Sequence, residues 1–200
     1  MLGLLRDRGI SDVRLQRAMS IVPRHLFVPE PFTSRSYEDS ALPIGKGQTI
    51  SQPYTVAFMT QALGIKEGDK ILEVGTGSGY QAAILAEMGA RVFSIERNLD
   101  LLASARKIFE KLKYRIASKG GDGTVGWNEF APFDGIIVTA GAPSIPQPLL
   151  NQLTQGGKLV IPVGDLEMQT LIVCIRQGER FDRKEIEGFK FVPLIGKMGW

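Results

Sequence analysis

A glycine-rich turn in the first half of the chain has the residue types and spacing of a ligand-binding loop. The sequence LEVGTGSGY places Gly75, Gly77 and Gly79 between a short apolar segment and a helical pattern. Glycine is favoured where the backbone takes positive φ angles or where a ligand must approach the main chain. The same turn can also serve only to pack a strand against a helix, so the motif alone leaves both interpretations open. Glu73, two residues earlier, is placed to anchor the turn or to contact a cationic amine.

Two further acidic residues follow the next predicted strands. Glu96 ends the second strand, where an acidic side chain accepts hydrogen bonds from the ribose hydroxyls of a bound nucleoside. Gly121 and Asp122 lie in the sequence GGDG after the third strand, so Asp122 is placed to accept from an adenine amino group. Each acid alone fits a surface charge. Three acids at the carboxyl ends of successive strands favour a ligand site, because that edge is where such sheets bind ligands.

The glycine spacing favours S-adenosyl-L-methionine over a dinucleotide. Dinucleotide folds use G-x-G-x-x-G, so that the start of the helix receives the pyrophosphate. Here the spacing is G-x-G-x-G, an acid precedes it, and no Walker lysine follows. Acidic residues around the loop suit a ligand with a cationic amine and no phosphate. The pattern resembles that of class I methyltransferases, and it predicts S-adenosyl-L-methionine as the cofactor.

The segment IGKGQTISQPYTVAFMTQAL, ahead of the glycine loop, suggests a second chemical role. Its first half is small and polar, and its second half, from about Gln52, predicts an amphipathic helix with Pro53 in the first turn. Ser51 at this start is a candidate N-cap, a role worth ~1 kcal/mol relative to alanine. Its hydroxyl and the free N–H groups of the first turn also form a candidate site for a carboxylate. The residues leave both roles open.

The elements after residue 70 must position these side chains. Apolar strand patterns alternate with helical ones in KILEVG, RVFSIE, YRIAS, FDGIIVTA and GGKLVIPVG, which predicts a doubly wound, mostly parallel sheet. The later segments QTLIVCIRQ and KEIEGFKFVPLIG leave no room for a helix and predict an antiparallel pair at one sheet edge. We expect a Rossmann-like α/β fold in a single domain. Residues 1–64 form an N-terminal helical and loop cap, residues 65–164 the cofactor-binding core, and residues 165–200 the C-terminal strands.

Composition and charge disfavour several classes of function. The 200 residues, 44% hydrophobic and 22% charged, predict one globular domain. The net charge is +3 and basic residues alternate with acidic ones, so neither nucleic acid nor a membrane surface is expected as a partner. One cysteine and one histidine cannot form a metal-ligand cluster, and no apolar run has the length of a membrane span or a signal peptide. We therefore expect a cytoplasmic protein without a metal.

Seven segments carry a resemblance to protein-L-isoaspartate O-methyltransferases, especially bacterial ones. In chain order they are VPRHLFVP, ALPIGKGQTISQPY, LEVGTGSGYQAA, GDGTVGW, APFDGIIVTAGAP, LLNQLTQGGKLVIPVG and FVPLIG. The resemblance implies that S-adenosyl-L-methionine methylates the free carboxylate of L-isoaspartyl residues, and some D-aspartyl ones, in damaged proteins. S-adenosyl-L-homocysteine is the product. The methyl ester then closes to a succinimide, which can reopen as normal aspartate.

The resemblance also implies roles for individual residues, with Ser51 as the active-site residue. Glu96 and Asp122 match the positions that contact the cofactor ribose and adenine. The implied cofactor-binding set is Gln48, Thr49, Ser51, Glu73, Gly75, Gly77, Gly79, Glu96, Gly121 and Asp122. The implied substrate-binding set is Thr49, Ile50 and Ser51, together with the strip Val192, Pro193 and Leu194, which holds the substrate peptide by its backbone.

Two other functions compete with this interpretation. A class I methyltransferase acting on RNA or a small molecule is favoured by a compact basic face or by an amine-methylation motif, and the sequence has neither. An adaptor that binds the cofactor without catalysis is disfavoured by the intact Ser51, Gly75, Glu96 and Asp122. The lack of a Ser-His-Asp or Cys-His set fits esterification of a carboxylate, since a carboxyl group with a pKa of about 4 is already ionised at neutral pH.

Overall fold

Strands and helices alternate through the middle of the chain in the computed structural model, which describes residues 1–200. The α-helices are α1 (Leu2–Asp7), α2 (Val13–Ile21), α3 (Pro53–Leu63), α4 (Tyr80–Glu87), α5 (Leu99–Leu112) and α6 (Gln147–Asn151). The strands are β1 (Leu42–Gly45), β2 (Gln48–Ile50), β3 (Lys70–Val74), β4 (Arg91–Glu96), β5 (Ala117–Gly120), β6 (Phe133–Val138), β7 (Leu153–Gly164), β8 (Gln169–Gln177) and β9 (Arg180–Phe189). None of the helices has the length and apolar character that a bilayer span requires.

Seven of the strands form one sheet in the order β5-β4-β3-β6-β7-β8-β9. The pairs from β5 to β7 are parallel, whereas β8 pairs antiparallel with both β7 and β9. The predicted doubly wound, mostly parallel sheet with an antiparallel C-terminal pair is confirmed. The chain order reverses at β3, which has β4 on one side and β6 on the other. Ligands bind at such a switch point, beyond the carboxyl ends of the strands.

Both faces of the sheet are covered. Alternate strand residues point to opposite sides, and the two sets belong to different hydrophobic clusters. Ile71 and Ile137 belong to a hydrophobic cluster that includes residues of α2, α3 and α4. Leu72 and Ile136 belong to a second cluster with residues of α6. Burial on both faces accounts for the near-continuous apolar sequence of β6.

Three local features differ from the sequence prediction. The last strand, β9, begins four residues before KEIEGFKFVPLIG and ends before FVPLIG. The predicted strand YRIAS begins three residues before the observed strand, β5, which starts at Ala117. The residues before Ala117 instead follow the turn at Lys113 (φ 61°), where α5 ends. The segment before α3 forms a hairpin rather than a loop, with Leu42 of β1 opposite Ile50 of β2. Its turn contains Gly45, Lys46 and Gly47, all with positive φ. The division of the chain at residues 64 and 164 stays a prediction.

Candidate active site

The glycine loop follows β3 at the switch point of the sheet, and its backbone requires glycine. Gly75, Gly77 and Gly79 have φ angles of 98°, 52° and 88°. A Cβ atom at Gly79 would lie 2.6 Å from the ring of Phe109, which is far inside van der Waals contact. Packing of the loop against α5 therefore explains Gly79, whereas Gly75 and Gly77 line a cavity. We call this cavity, bounded by Gly75, Gly77, Glu96 and Leu194, the loop cavity.

Glu96 lies at the wall of the loop cavity, as the sequence predicts. Its side chain is nearly buried and braces the glycine loop, because Oε2 accepts a hydrogen bond from the Gly77 amide at 2.9 Å. Oε1 accepts from the Asn98 amide at 2.8 Å. Each carboxylate oxygen has a second lone pair, so both can still accept a hydroxyl proton from a ligand. This arrangement suits the two adjacent hydroxyls of a ribose.

Glu73 anchors the turn from inside the protein. Its side chain is fully buried, and Ser94 Oγ donates to Oε2 while also bonding to Thr76 Oγ1. The other oxygen, Oε1, has no hydrogen-bond partner. Burial, reinforced by the charge of Glu96, raises the pKa of Glu73 to about 8. Glu73 is absent from the walls of the loop cavity, which favours the anchoring role over contact with an amine.

Asp122 has other partners than the sequence predicts. Its Oδ1 accepts from the amide and hydroxyl of Thr124, and its Oδ2 accepts from the amide of Lys197 at 2.8 Å. These bonds attach the C-terminal segment to the turn after β5. The Gly121 amide donates to the carbonyl of Glu96. Neither Gly121 nor Asp122 lines the loop cavity, whereas Gly123 does. The adenine contact of Asp122 stays a prediction, and the structure gives the residue a structural role as well.

Ser51 lies at the boundary between two further cavities. The inner cavity is a small space between Ser51, Gly77, Ser78 and Tyr80. The groove is a longer depression lined by Arg8, Ser51, Tyr54, Phe58, Ile186 and Phe191. Thr49 and Thr139 line the loop cavity, the inner cavity and the groove alike. The three spaces therefore meet around residues 49, 51 and 139.

The N-cap role predicted for Ser51 is wrong. The cap position of α3 belongs to Gln52, and no side chain caps the helix there. Pro53 has no N–H, and the amide of Tyr54 donates to Asp39 Oδ1 at 2.8 Å. The Ser51 hydroxyl makes no hydrogen bond within the protein, whereas its carbonyl accepts from Arg24 Nη2 at 2.8 Å. The hydroxyl is thus available to a ligand, and the first turn of α3 offers fewer free amides than predicted.

The hairpin before α3 brings the other predicted residues of this segment to the site. Gln48 and Thr49 line the loop cavity. Ile50 is buried and borders the inner cavity. Lys46, at the turn, also lines the loop cavity and pairs with Asp100 at 2.7 Å. The hairpin therefore forms one wall of the site opposite the glycine loop.

The strip Val192, Pro193 and Leu194 lines the loop cavity, and its backbone is already partly bonded. The carbonyl of Val192 accepts from the Gly141 amide at 2.8 Å, and the Leu194 amide donates to the Gly141 carbonyl at 2.7 Å. The Phe191 amide donates to Gln169 Oε1. The carbonyls of Phe191 and Pro193 accept no hydrogen bond. A peptide bound by this strip would therefore meet these two carbonyls and the Val192 amide, which donates to no protein atom.

Sequence reasoning missed Arg24, Arg8 and Thr139 as residues of the site. Arg24 lies in VPRHLFVP, where an arginine among prolines and apolar residues is the only signal of burial. Arg8 stacks on Tyr54, with its guanidinium carbon 3.4 Å from the ring centroid, and pairs with Asp39 at 2.6 Å. No group of three or more His, Cys, Asp or Glu side chains is arranged to hold a metal ion.

Comparison with known proteins agrees with this geometry. The family model of protein-L-isoaspartate(D-aspartate) O-methyltransferase matches residues 1–199. The protein-L-isoaspartate O-methyltransferase of Salinibacter ruber is 53% identical over 202 residues, which covers 96% of this chain and 88% of that protein.

Solved structures give the same answer. One protein-L-isoaspartate O-methyltransferase superposes with a TM-score of 0.91 at 28% identity, over 99% of this chain and 66% of its own. A Plasmodium falciparum protein assigned to the same activity, solved in complex with S-adenosyl-L-homocysteine, has a TM-score of 0.83 at 26% identity, over 97% and 96% of the two chains. The chain therefore belongs to the protein-L-isoaspartate(D-aspartate) O-methyltransferase family.

Proposed function

We propose that the three adjoining cavities hold the two reactants of a methyl transfer, with Ser51 at their boundary. As a member of its family, the protein uses S-adenosyl-L-methionine to methylate the free carboxylate of L-isoaspartyl residues in damaged proteins. This ester formation initiates repair through a succinimide. The cytoplasmic location, activity on D-aspartyl residues and the lack of nucleic-acid partners stay predictions.

The roles assigned to the residues rest on the walls that the cavities share. Ser51 faces both the inner cavity next to the glycine loop and the groove that opens to solvent. A cofactor and a peptide must touch at one point for a group to pass between them, and the walls formed by Ser51, Thr49 and Thr139 meet at such a point. We assign the groove to the isoaspartyl peptide and the other two cavities to the cofactor.

The residues present fit the cofactor. The two oxygens of Glu96 are placed to accept from ribose hydroxyls, and Gly75 and Gly77 leave the backbone of the loop open to close approach. The carboxylate of Glu96 places a negative charge at the wall of the loop cavity, which suits a cationic ligand. When bound, S-adenosyl-L-methionine supplies an activated methyl group on a sulfonium leaving group.

The protein's own contribution is orientation and exclusion of water. The substrate carboxylate is ionised at neutral pH, so no general base has to create the nucleophile. The free Ser51 hydroxyl donates a hydrogen bond to one carboxylate oxygen and leaves the other to react. Holding two reactants in line in this way can lower a barrier by up to ~7–11 kcal/mol. The free carbonyl of Phe191, which lines the groove, accepts from the peptide backbone.

Methyl transfer to matched peptides tests the substrate. Two peptides that differ only in an L-isoaspartyl or an L-aspartyl residue are incubated with the protein and S-adenosyl-L-methionine. We expect methyl ester on the isoaspartyl peptide alone. If neither peptide is methylated while S-adenosyl-L-homocysteine still binds, the protein is an adaptor and the proposed function is wrong.

The substitution Ser51→Ala tests whether the Ser51 hydroxyl contributes to turnover. Because the hydroxyl has no partner within the protein, its loss should leave the free energy of unfolding almost unchanged. We expect turnover to fall by about tenfold or more, the cost of removing a hydrogen bond to a charged group, with the affinity for S-adenosyl-L-homocysteine within about twofold. Ser20→Ala, at an exposed serine of α2, is the control. Unchanged turnover in Ser51→Ala would remove Ser51 from the mechanism.

A further inference from the structure

A fully buried arginine lies directly behind Ser51. Arg24 has no solvent-accessible surface, and its Nη2 donates to the Ser51 carbonyl at 2.8 Å. Its Nε donates to the Ser36 carbonyl at 2.7 Å, and its guanidinium carbon lies 4.8 Å from the ring centroid of Tyr80. The third nitrogen, Nη1, has no hydrogen-bond partner. Arg24 thus joins the segment before α3 to the first residue of the helix that follows the glycine loop.

The positive charge of Arg24 has no counter-ion in the protein. It forms no ion pair, and its partners are two carbonyls and an aromatic ring. The nearby Asp39 is already paired with Arg8 and bonded to the Tyr54 amide. Burial lowers the pKa of Arg24 from its ordinary value, but a guanidinium remains protonated in proteins. A buried cation without an anion is unfavourable for stability, so its presence calls for another explanation.

We propose that Arg24 is a positioning residue that fixes the Ser51 segment and supplies the positive charge opposite the substrate carboxylate. This inference rests on the proposed function, since it requires an isoaspartyl carboxylate at Ser51. The carboxylate is the missing anion: it enters the groove at Ser51, so that Ser51 lies between it and the guanidinium. Carbonyl groups alone could be held by a neutral side chain, whereas attraction of an anion needs the charge.

The chemistry of the reaction determines which kinetic constant the charge affects. The carboxylate loses its negative charge as the ester forms, so a neighbouring cation stabilises the bound substrate at least as much as the transition state. Such an interaction lowers KM and does not raise kcat. Ser51, by contrast, orients the oxygen that reacts and contributes to turnover. Arg24 and Ser51 therefore predict different kinetic signatures although they are in direct contact.

Three substitutions separate charge from shape. Arg24→Met removes the charge and keeps an apolar stem, Arg24→Gln removes the charge and keeps one donor, and Arg24→Lys keeps the charge and loses the planar fork. We expect KM for the isoaspartyl peptide to rise by at least about tenfold in both neutral variants, with kcat within about threefold, and to rise less in Arg24→Lys. Arg17→Met, at an exposed arginine of α2, is the control.

A binding measurement distinguishes this role from a merely structural one. In the presence of S-adenosyl-L-homocysteine, each variant is titrated with the isoaspartyl peptide and with its isoasparaginyl counterpart, in which an amide replaces the free carboxylate. The neutral variants should lose affinity for the first peptide and keep their affinity for the second. Equal loss for both peptides, or no loss for either, would overturn the proposal.

The test still decides the question if one of the variants fails to fold. Thermal unfolding and S-adenosyl-L-homocysteine affinity identify a variant that fails to fold, and the remaining neutral variant then carries the comparison with Arg24→Lys. If both neutral variants unfold, Arg24→Lys must show a selective loss for the carboxylate peptide, because its shorter reach moves the charge; no such loss overturns the proposal. Failure of the proposed function itself is recognised separately, since the unmodified protein would then not methylate the isoaspartyl peptide.

Discussion

The cofactor side and the substrate side of the site are built in different ways. On the cofactor side, residues 73–98 supply the glycine loop, its acidic anchor and Glu96, and neighbouring groups bond to one another across two adjacent strands. On the substrate side, the walls come from Arg8, the hairpin segment at Ser51, the turn at Thr139 and the strip at Phe191. These segments are far apart in the chain and meet only after the sheet has formed.

This difference concerns which polar groups are satisfied before a ligand arrives. The oxygens of Glu96 already hold the loop in place, so the cofactor side is shaped without its ligand. The Ser51 hydroxyl, Arg24 Nη1 and the carbonyl of Phe191 have no partners within the protein. The substrate side is therefore completed by what binds there. Mutations of the glycine loop should therefore act through the fold, whereas mutations of the substrate side should act through binding.

The largest expected effect is on the fold of the cofactor side, through Gly79→Ala. The substitution places a Cβ in a left-handed conformation (φ 88°) and against Phe109, at 2.6 Å. We expect the free energy of unfolding to fall by about 3 kcal/mol, from backbone strain plus overpacking, as measured by urea denaturation. Gly178→Ala is the matched control, because Gly178 also has a positive φ (67°) but no atom within 4 Å of the added Cβ. Equal losses in the two variants would show that the contact with α5 contributes nothing.

The second effect is on cofactor affinity, through Glu96→Ala. The change removes the acceptors for the ribose and releases the Gly77 and Asn98 amides. We expect the Kd for S-adenosyl-L-homocysteine to rise about 30- to 100-fold, which corresponds to about 2–3 kcal/mol, while kcat at saturating cofactor changes much less. Isothermal titration gives the Kd. Asp100→Asn, which removes a nearby exposed carboxylate paired with Lys46, should leave it unchanged.

The same contrast explains how much the sequence could predict. The bounds of β8 agree with the apolar segment QTLIVCIRQ, and the glycine loop agrees with its motif, because each depends on residues close in the chain. The hairpin of β1 and β2 was not predicted, since LPIGKGQTI is too polar and too rich in glycine to show a strand period. The motif GGDG placed Asp122 at the site, but it could not predict the bond to the Lys197 amide, because Lys197 lies seventy-five residues later in the chain.

The role of Arg24 could not be predicted for a similar reason. The apolar surroundings of Arg24 in VPRHLFVP are only a weak signal of burial, because the burial itself depends on contacts with Ser36, Ser51 and Tyr80. The sequence around Ser51 allowed a chemical role for Ser51 to be proposed, but it did not allow its local structure to be predicted. The cap prediction failed because the chain enters α3 one residue later, at Gln52.

The last effect concerns the buried anchor of the glycine loop, and it depends on pH. The pKa of Glu73 is raised from 4.5 to about 8 in the folded protein. Between these values the folded state keeps a proton that the unfolded state loses. The free energy of unfolding therefore falls as pH rises through this window, by at most ~1.4 kcal/mol per pH unit from this group. Below pH 4.5 both states hold the proton, and above about 8 both have lost it, so the contribution is constant outside the window.

Glu73→Gln removes this titration and keeps the shape of the protonated side chain. The free energy of unfolding of the variant, measured relative to the original protein by urea denaturation, should rise steadily from pH 5 to pH 8 and then level off. Glu179→Gln, in the exposed turn before β9, should give a difference that does not vary with pH. Parallel profiles for Glu73→Gln and the original protein would mean that Glu73 is ionised when folded. The glycine loop would then rest on a buried charge, and the cofactor side would resemble the substrate side, where Arg24 is such a charge.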